Sequence, residues 1–323
     1  MIDIKEIFNI ETNKDFEAAA LKVFLYQSEH CEVYKQYIGL LGINPLSVKT
    51  IEQIPFLPIR FFKSKKIYST NKHEDVVFTS SGTTGMEVSK HFVADVKIYE
   101  ESFIKGFEHF YGNPSQYAVL ALLPSYLERE GSSLIYMAEH LIRLSSYKES
   151  GFFLNNHADM YDNLQNLQKR NIPTVLIGVS FALLDFVENY KINNNQLIVM
   201  ETGGMKGRRR ELPREELHTI LKSGFGVADI HSEYGMTELL SQAYSKGGGL
   251  FYTPPWMRIV IRNTQNPLSL LTRNVSGGVN IIDLANIYSC SFIETQDLGK
   301  SLLNNGFEIQ GHFDESLVRG CKL

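Results

Sequence analysis

Apolar and polar positions follow two rhythms along this chain, and the change between them falls near residue 247. Before it, short and wholly apolar runs alternate with stretches whose apolar residues recur every three or four places. Residues 75–80, 117–123, 174–178, 196–201 and 227–233 read as buried strands. Residues 12 to about 39 read as helix, with Phe16, Ala20, Val23, Phe24 and Gln27 on one face and Thr12 with Asp15 as a capping box. A second helix, capped by Ser132 or Ser133, buries a stripe of Leu134, Met137, Ala138, Leu141 and Ile142. Further helices are expected over 181–190 and over 214–223, the latter stopped by Gly224. After residue 247 the helical rhythm disappears. Short strands over 250–253, 257–262, 279–283, 291–294 and 307–310 remain.

Strands alternating with helices predict an α/β fold with a largely parallel sheet over 1–246. Residues 247–323 are expected to form a mostly antiparallel β subdomain, in one compact unit with the first. The chain has 323 residues, 43% of them hydrophobic, enough for a large core. The net charge of −4 gives no general reason to bind nucleic acid. The first residues are charged where a signal peptide needs an apolar core. No apolar run approaches the roughly 20 residues of a membrane span. Cys31, Cys290 and Cys321 match no zinc spacing. A cytoplasmic protein with reduced thiols is the expectation.

Thr79-Ser80-Ser81-Gly82-Thr83-Thr84-Gly85 is the richest stretch for chemistry. Glycine lets a backbone approach an anion, successive N–H groups can form a concave nest, and hydroxyls add donors. Such a stretch after a strand suits phosphate. It is not a Walker loop, which needs Lys and Ser or Thr directly after the last glycine, nor a G-x-G-x-x-G fingerprint. A second cluster, His231 to Glu238, follows a strand. In it Tyr234 could stack on a base, Gly235 allows close approach, Thr237 could donate to phosphate, and Glu238 could hold Mg²⁺. A third, Thr295-Gln296-Asp297-Leu298-Gly299, sets a carboxylate at a strand end, where Asp297 could accept from ribose hydroxyls.

Ser-Ser-Gly-Thr-Thr-Gly, Tyr-Gly-Met-Thr-Glu and Thr-x-Asp-Leu-Gly, in this order, resemble the motifs of the adenylate-forming enzymes. Further segments look like the acyl-protein synthetase branch, the LuxE-type fatty-acid ligases related to phenylacetate-CoA ligases. They are Ile54-Pro55-Phe56-Leu57-Pro58, Phe61-Phe62-Lys63, Leu123 to Arg129, Glu201 to Arg208 and Pro254-Pro255-Trp256. The resemblance implies the N-terminal-domain fold of that superfamily, with mixed sheets and packed helices. It implies ATP and Mg²⁺ as cofactors and a small carboxylic acid as substrate. Ser80, Ser81, Gly82, Thr83, Thr84 and Gly85 would wrap the phosphates. Gly203, Gly204, Tyr234 and Gly235 would hold the adenine and Asp297 the ribose. Thr237 would touch the α-phosphate, Glu238 would bind the metal, and Lys90 would be the nearest assisting cation.

Gly311 to Gly320 resembles the hinge before the superfamily's mobile lid, with His312 where Arg is common, and the expectation is that the lid itself is absent. In acyl-protein synthetases a cysteine near the C-terminus accepts the acyl group. That role would fall to Cys321, with an acyl-accepting or reductase partner protein beyond it. Two alternatives stay open. Gly178-Val179-Ser180-Phe181-Ala182 nearly matches a nucleophile elbow, and Asp229 with His231 or His312 would complete a Ser…Asp…His order. That reads as a Ser180-dependent acyltransferase or thioesterase. The other is a non-catalytic subunit of a fatty-acid reductase-type complex. Lys206 and Arg208-Arg209-Arg210 read as a solvated face, and His140 and His157 carry no role.

Overall fold

The structure is a computed structural model, and it describes residues 3–80, 87–124, 130–194, 196–203 and 212–312. Its helices are α1 Ile4–Phe8, α2 Asn13–His30, α3 Glu32–Leu40, α4 Phe61–Ser64, α5 Val96–Tyr111, α6 Ser133–Leu144, α7 His157–Lys169, α8 Ser180–Asn189 and α9 Arg214–Phe225. Its strands are β1 Leu57–Pro58, β2 Val76–Thr79, β3 Lys90–Val93, β4 Ala118–Leu122, β5 Gly151–Phe152, β6 Thr174–Gly178 and β7 Leu197–Thr202. They continue with β8 His231–Tyr234, β9 Ala243–Ser245, β10 Leu250–Tyr252, β11 Met257–Arg262, β12 Ser276–Asp283, β13 Phe292–Ser301 and β14 Phe307–His312. The chain divides into two compact units. One comprises residues 1–102, 237–241 and 252–323, and the other 103–236 and 242–251.

In the first unit β11, β12, β13 and β14 form an antiparallel meander, with Ile259 opposite Ile281 and Ile281 opposite Ile293. β1 adds to β13 in parallel. The antiparallel reading of the C-terminal strands therefore holds. α2 and α3 pack on this meander through aromatic rings, with Phe24 of α2 edge-on to Phe292 at 6.0 Å and Tyr34 of α3 stacked on Phe292 at 6.1 Å. Gln27, fully buried on α2, donates from Nε2 to the carbonyls of Asn286 and Ile287 and accepts from the Ser291 N–H. A buried amide satisfied on both ends fixes the helix in register on the turn between β12 and β13. β2 and β3 make a separate antiparallel hairpin, with Phe78 opposite His91 and Thr79 opposite Lys90.

The second unit is the α/β part. Its strands run in the order β9-β8-β7-β6-β4-β5, parallel except for β9. β4 and β6 are buried along their whole length, as parallel strands covered on both faces must be. Helices α6 to α9 occupy the connections. At Gly178 an added Cβ would sit 2.9 Å from Leu183 Cδ2, so the turn from β6 into α8 has room only for glycine.

Several expectations need correction. The helix expected over residues 12 to about 39 is two helices, because Cys31 takes an extended conformation (φ −91°, ψ 99°) and breaks the chain between α2 and α3. The capping box at Thr12 and Asp15 is present. Ser132 caps α6, whose buried face includes Ile135, Met137, Ala138 and Leu141, while Leu134 and Ile142 are only half-buried. Gly224 does not stop α9. It lies inside the helix, where a Cβ would come within 2.5 Å of Val187 Cβ, and Gly226 at φ +65° makes the left-handed cap. Thr295 to Gly299 is not at a strand end but in the middle of β13. The His231 cluster likewise begins inside β8 rather than after it.

Candidate functional site

The first unit brings Thr237, Glu238 and Asp297 into one neighbourhood with the β2–β3 hairpin. Ser80 follows β2 directly. Its N–H donates to the Ser89 carbonyl at 3.1 Å and its hydroxyl accepts the Ser89 N–H at 2.9 Å, closing the base of the hairpin. Residues 81–85 of the hydroxyl–glycine motif, with Met86 after them, lie outside the described residues. Two places beyond Ser89, His91 is 1% exposed and donates from Nδ1 to the Thr237 carbonyl at 2.9 Å. Burial pulls this imidazole down to about 4, so it is neutral, and the carbonyl acceptor sets the proton on Nδ1. Lys90, between them, is exposed.

Glu238 is buried, at 5% exposure. Burial raises its carboxyl above the usual carboxylate range. The Ser89 hydroxyl, its own backbone N–H and the Lys63 ammonium oppose that, while the Asp297 charge adds to it. Asn286 Nδ2 donates to the Glu238 carbonyl at 2.8 Å, which extends the Gln27–Asn286 contact of the core to the site. Asp297 is itself buried and pairs with His312 Nδ1 at 2.7 Å across the β13–β14 register. Among the described residues no three His, Cys, Asp or Glu side chains form a metal cage. A single carboxylate beside hydroxyl donors suits Mg²⁺, which usually keeps water and phosphate oxygens as most of its ligands.

The second unit holds Gly203, Tyr234 and Gly235 at the ends of β7 and β8. Gly203 has φ +33°, and among the described residues no atom lies within 4 Å of the position of its absent Cβ. Tyr234 is half-buried, with Phe251 at 6.0 Å between ring centroids. A Cβ on Gly235 would lie 2.3 Å from Glu233 Oε1, so this glycine makes room for a carboxyl. Glu233 and Glu201 form an acid pair. Burial works against ionisation of Glu201, but the neighbouring His218 and Ser232 hold it below the usual range. His218 Nε2 stands 3.6 Å from Glu201, longer than a hydrogen bond. Loss of hydration and the Glu201 charge push Glu233 up to about 8.

Ser180 donates to Glu201 Oε2 at 3.2 Å. Asp229 pairs with Lys222, and His231 contacts the Tyr111 hydroxyl. The elbow-like serine therefore meets a carboxylate rather than a base histidine. His140 and His157 contact the rings of Phe103 and Phe186. Cys31 and Cys290 are buried, and burial pushes both thiols up, which keeps them unreactive. Gly204, the Lys206–Arg210 cluster, most of the hinge-like segment and Cys321 lie outside the described residues. Among the described residues no helix is long and apolar enough to cross a membrane.

Sequence reasoning missed Ser89, His91 and the reach of Lys63. The available signal was the alternation Lys90-His91-Phe92-Val93, which puts a histidine on the buried face of a strand.

The comparisons with known proteins bear on this architecture. The fold is that of the adenylate-forming ligases. An open-conformation structure of 2-hydroxyisobutyryl-CoA ligase in complex with 2-HIB-AMP and CoA aligns over 94% of this chain and 75% of its own, with a TM-score of 0.66 at 12% identity. ATP-bound MatB from Rhodopseudomonas palustris aligns over 76% of this chain with a TM-score of 0.55 at 17% identity, and the chain spans 50% of that structure's length. A long-chain-fatty-acid–luciferin-component ligase of Photorhabdus luminescens is 30% identical over 78 residues, which are 24% of this chain and 66% of that relative. No protein-family model matches.

Proposed function

We propose that the chain uses ATP and Mg²⁺ to activate a carboxylic acid, in the manner of the acyl-protein synthetases. The carboxylate oxygen attacks the α-phosphorus of ATP, forming the acyl-adenylate and releasing pyrophosphate. A thiol then attacks the acyl carbon, forming a thioester and releasing AMP; Cys321 is the thiol proposed. The observation that carries this reading is the attachment of Thr237–Glu238 to the hairpin that bears the 79–85 motif. A phosphate ligand, a metal ligand and a hydroxyl–glycine motif held together are what the meeting of two anions requires.

In this reading Ser80 to Gly85 hold the phosphates, assisted by Lys90. Thr237 meets the α-phosphate and Glu238 the metal. Asp297 receives the ribose hydroxyls, and Gly203, Gly204, Tyr234 and Gly235 receive the adenine. The name of the Photorhabdus relative favours a long-chain fatty acid as the substrate. A location in the cytoplasm and an acyl-accepting or reductase partner protein belong to the same reading.

Intact-protein mass spectrometry after incubation with ATP, Mg²⁺ and mixed fatty and aryl acids tests the whole reading. The expected result is an acyl adduct that Cys321→Ser abolishes while ATP–pyrophosphate exchange persists. An absence of both exchange and adduct with every acid overturns it. An adduct that survives Cys321→Ser moves the acceptor elsewhere.

A further inference from the structure

We propose that His91 is a positioning residue that locks the Thr237–Glu238 segment onto the β2–β3 hairpin. Its consequence for catalysis rests on the functional reading above.

Residues 237–241 lie between β8 and β9, and side chains of the first unit hold their backbone groups. The N–H groups of Leu240 and Ser241 donate to Asp283 Oδ2 at 2.8 and 3.0 Å. The Glu238 carbonyl accepts from Asn286 Nδ2 at 2.8 Å. These ties lead to β12 and the turn after it. The tie from His91 Nδ1 to the Thr237 carbonyl, at 2.9 Å, leads instead to the hairpin.

His91 faces Phe78 in register, next to Thr79 and Ser80, where the hydroxyl–glycine motif begins. A displacement of the hairpin therefore acts directly on the Thr237 carbonyl. Ser89 hydrogen-bonds the Glu238 carboxyl. Residues 89 and 91 thus reach consecutive residues of the segment, as the two-residue period of an extended chain allows.

The Phe62 ring stands edge-on to the imidazole, 5.8 Å between centroids at 89°, and Phe62 is 1% exposed. That contact restricts the ring plane and adds α4 to the assembly. His91 Nε2 is buried with no hydrogen-bond partner among the described residues. A buried nitrogen without a partner is destabilising, and an apolar residue of similar size would avoid it. The Nδ1–H bond is what an apolar residue could not provide. Holding a phosphate ligand in place matters because a misplacement of about 1 Å can lower a rate by on the order of a hundredfold.

The test compares His91→Leu, which fills the space without a donor, with His91→Asn, whose amide N–H can replace Nδ1–H. The first readout is hydrogen–deuterium exchange of the ligand-free chain over residues 76–93 and 236–241. H91L is expected to exchange about tenfold faster over 237–241, with H91N close to the unmodified chain. The second readout is ATP–pyrophosphate exchange, well below the melting temperature. H91L is expected to lower kcat about tenfold with the KM for the acid unchanged, and H91N to recover most of it.

Unchanged protection over 237–241 in H91L overturns the proposal whether or not the chain activates any acid. Wild-type kcat in H91L, or failure of H91N to rescue, also overturns it. Lost protection in H91L, restored in H91N, in a chain that exchanges pyrophosphate with no acid upholds the lock and removes the functional reading.

Discussion

Glu233 and Glu238 are five residues apart in sequence, and both carboxyls are pushed towards the neutral form, yet their surroundings differ. Glu238 lies in the first unit with a serine hydroxyl, a backbone N–H and the Lys63 charge all favouring ionisation. Glu233 lies in the second unit against a second acid, Glu201, and burial and that charge together push it up to about 8. One carboxyl is supplied with partners that a cation could reinforce. The other is kept in the form that donates a proton to a hydrogen bond. Within a single motif, the acid proposed to meet a metal ion is thus separable from the acid beside Tyr234 and Gly235.

The comparison breaks most directly at Glu238. Glu238→Gln preserves the size of the side chain and a group that can accept the Ser89 hydroxyl but removes the charge proposed to bind the metal. ATP–pyrophosphate exchange is expected to fall on the order of a hundredfold with little change in melting temperature, whereas Glu233→Gln should retain exchange within about threefold. Equal losses in the two variants would show that the acids are not divided in this way. A smaller effect separates the two nearby lysines. Lys63 acts on Glu238, while Lys90 is exposed at the first position of β3. Lys63→Ala is expected to reduce exchange about tenfold and Lys90→Ala about twofold or less, read as kcat/KM for ATP. The reverse order would make Lys90 the stronger of the two assisting cations.

Much of this difference could not be read from the chain alone. The parallel strands were legible because β4 and β6 are buried from end to end and appear as unbroken apolar runs. The β8–Glu238 segment was legible as a motif, but its division between two environments was not. His91 illustrates why: its partner Thr237 is 146 positions away, and no local period links them. The break at Cys31 was hidden because the apolar face continues through Tyr34 and Ile38 of α3. Gly224 resembled a helix stop because sequence cannot distinguish a glycine needed for close helix packing from one needed for a positive φ. Asp297 looked like a strand end because Gly299 and Asp297 are poor strand residues in general, yet β14 pairs with both.

The smallest expected effect concerns stability rather than catalysis, and it tests the Glu233 side of the comparison alone. Glu233 binds its proton up to about pH 8 in the folded chain, whereas its ordinary value is 4.5. Between those limits the folded state holds more protons than the unfolded state, so folding stability falls as pH rises. The contribution is fully present below 4.5 and is lost on passing through about 8. His231 acts in the opposite direction: burial lowers it to about 4 from 6.5, so its contribution is lost as pH falls through that window. Glu233→Gln isolates the first effect. Between about pH 5 and about pH 8.5 the unmodified chain should lose on the order of 2 kcal/mol relative to this variant, measured by urea unfolding. The residual solvent contact of Glu233 limits that figure. Parallel pH profiles for the two proteins would mean that Glu233 ionises freely beside Glu201, and the contrast with Glu238 would then rest on the exchange kinetics of the Glu238 variant alone.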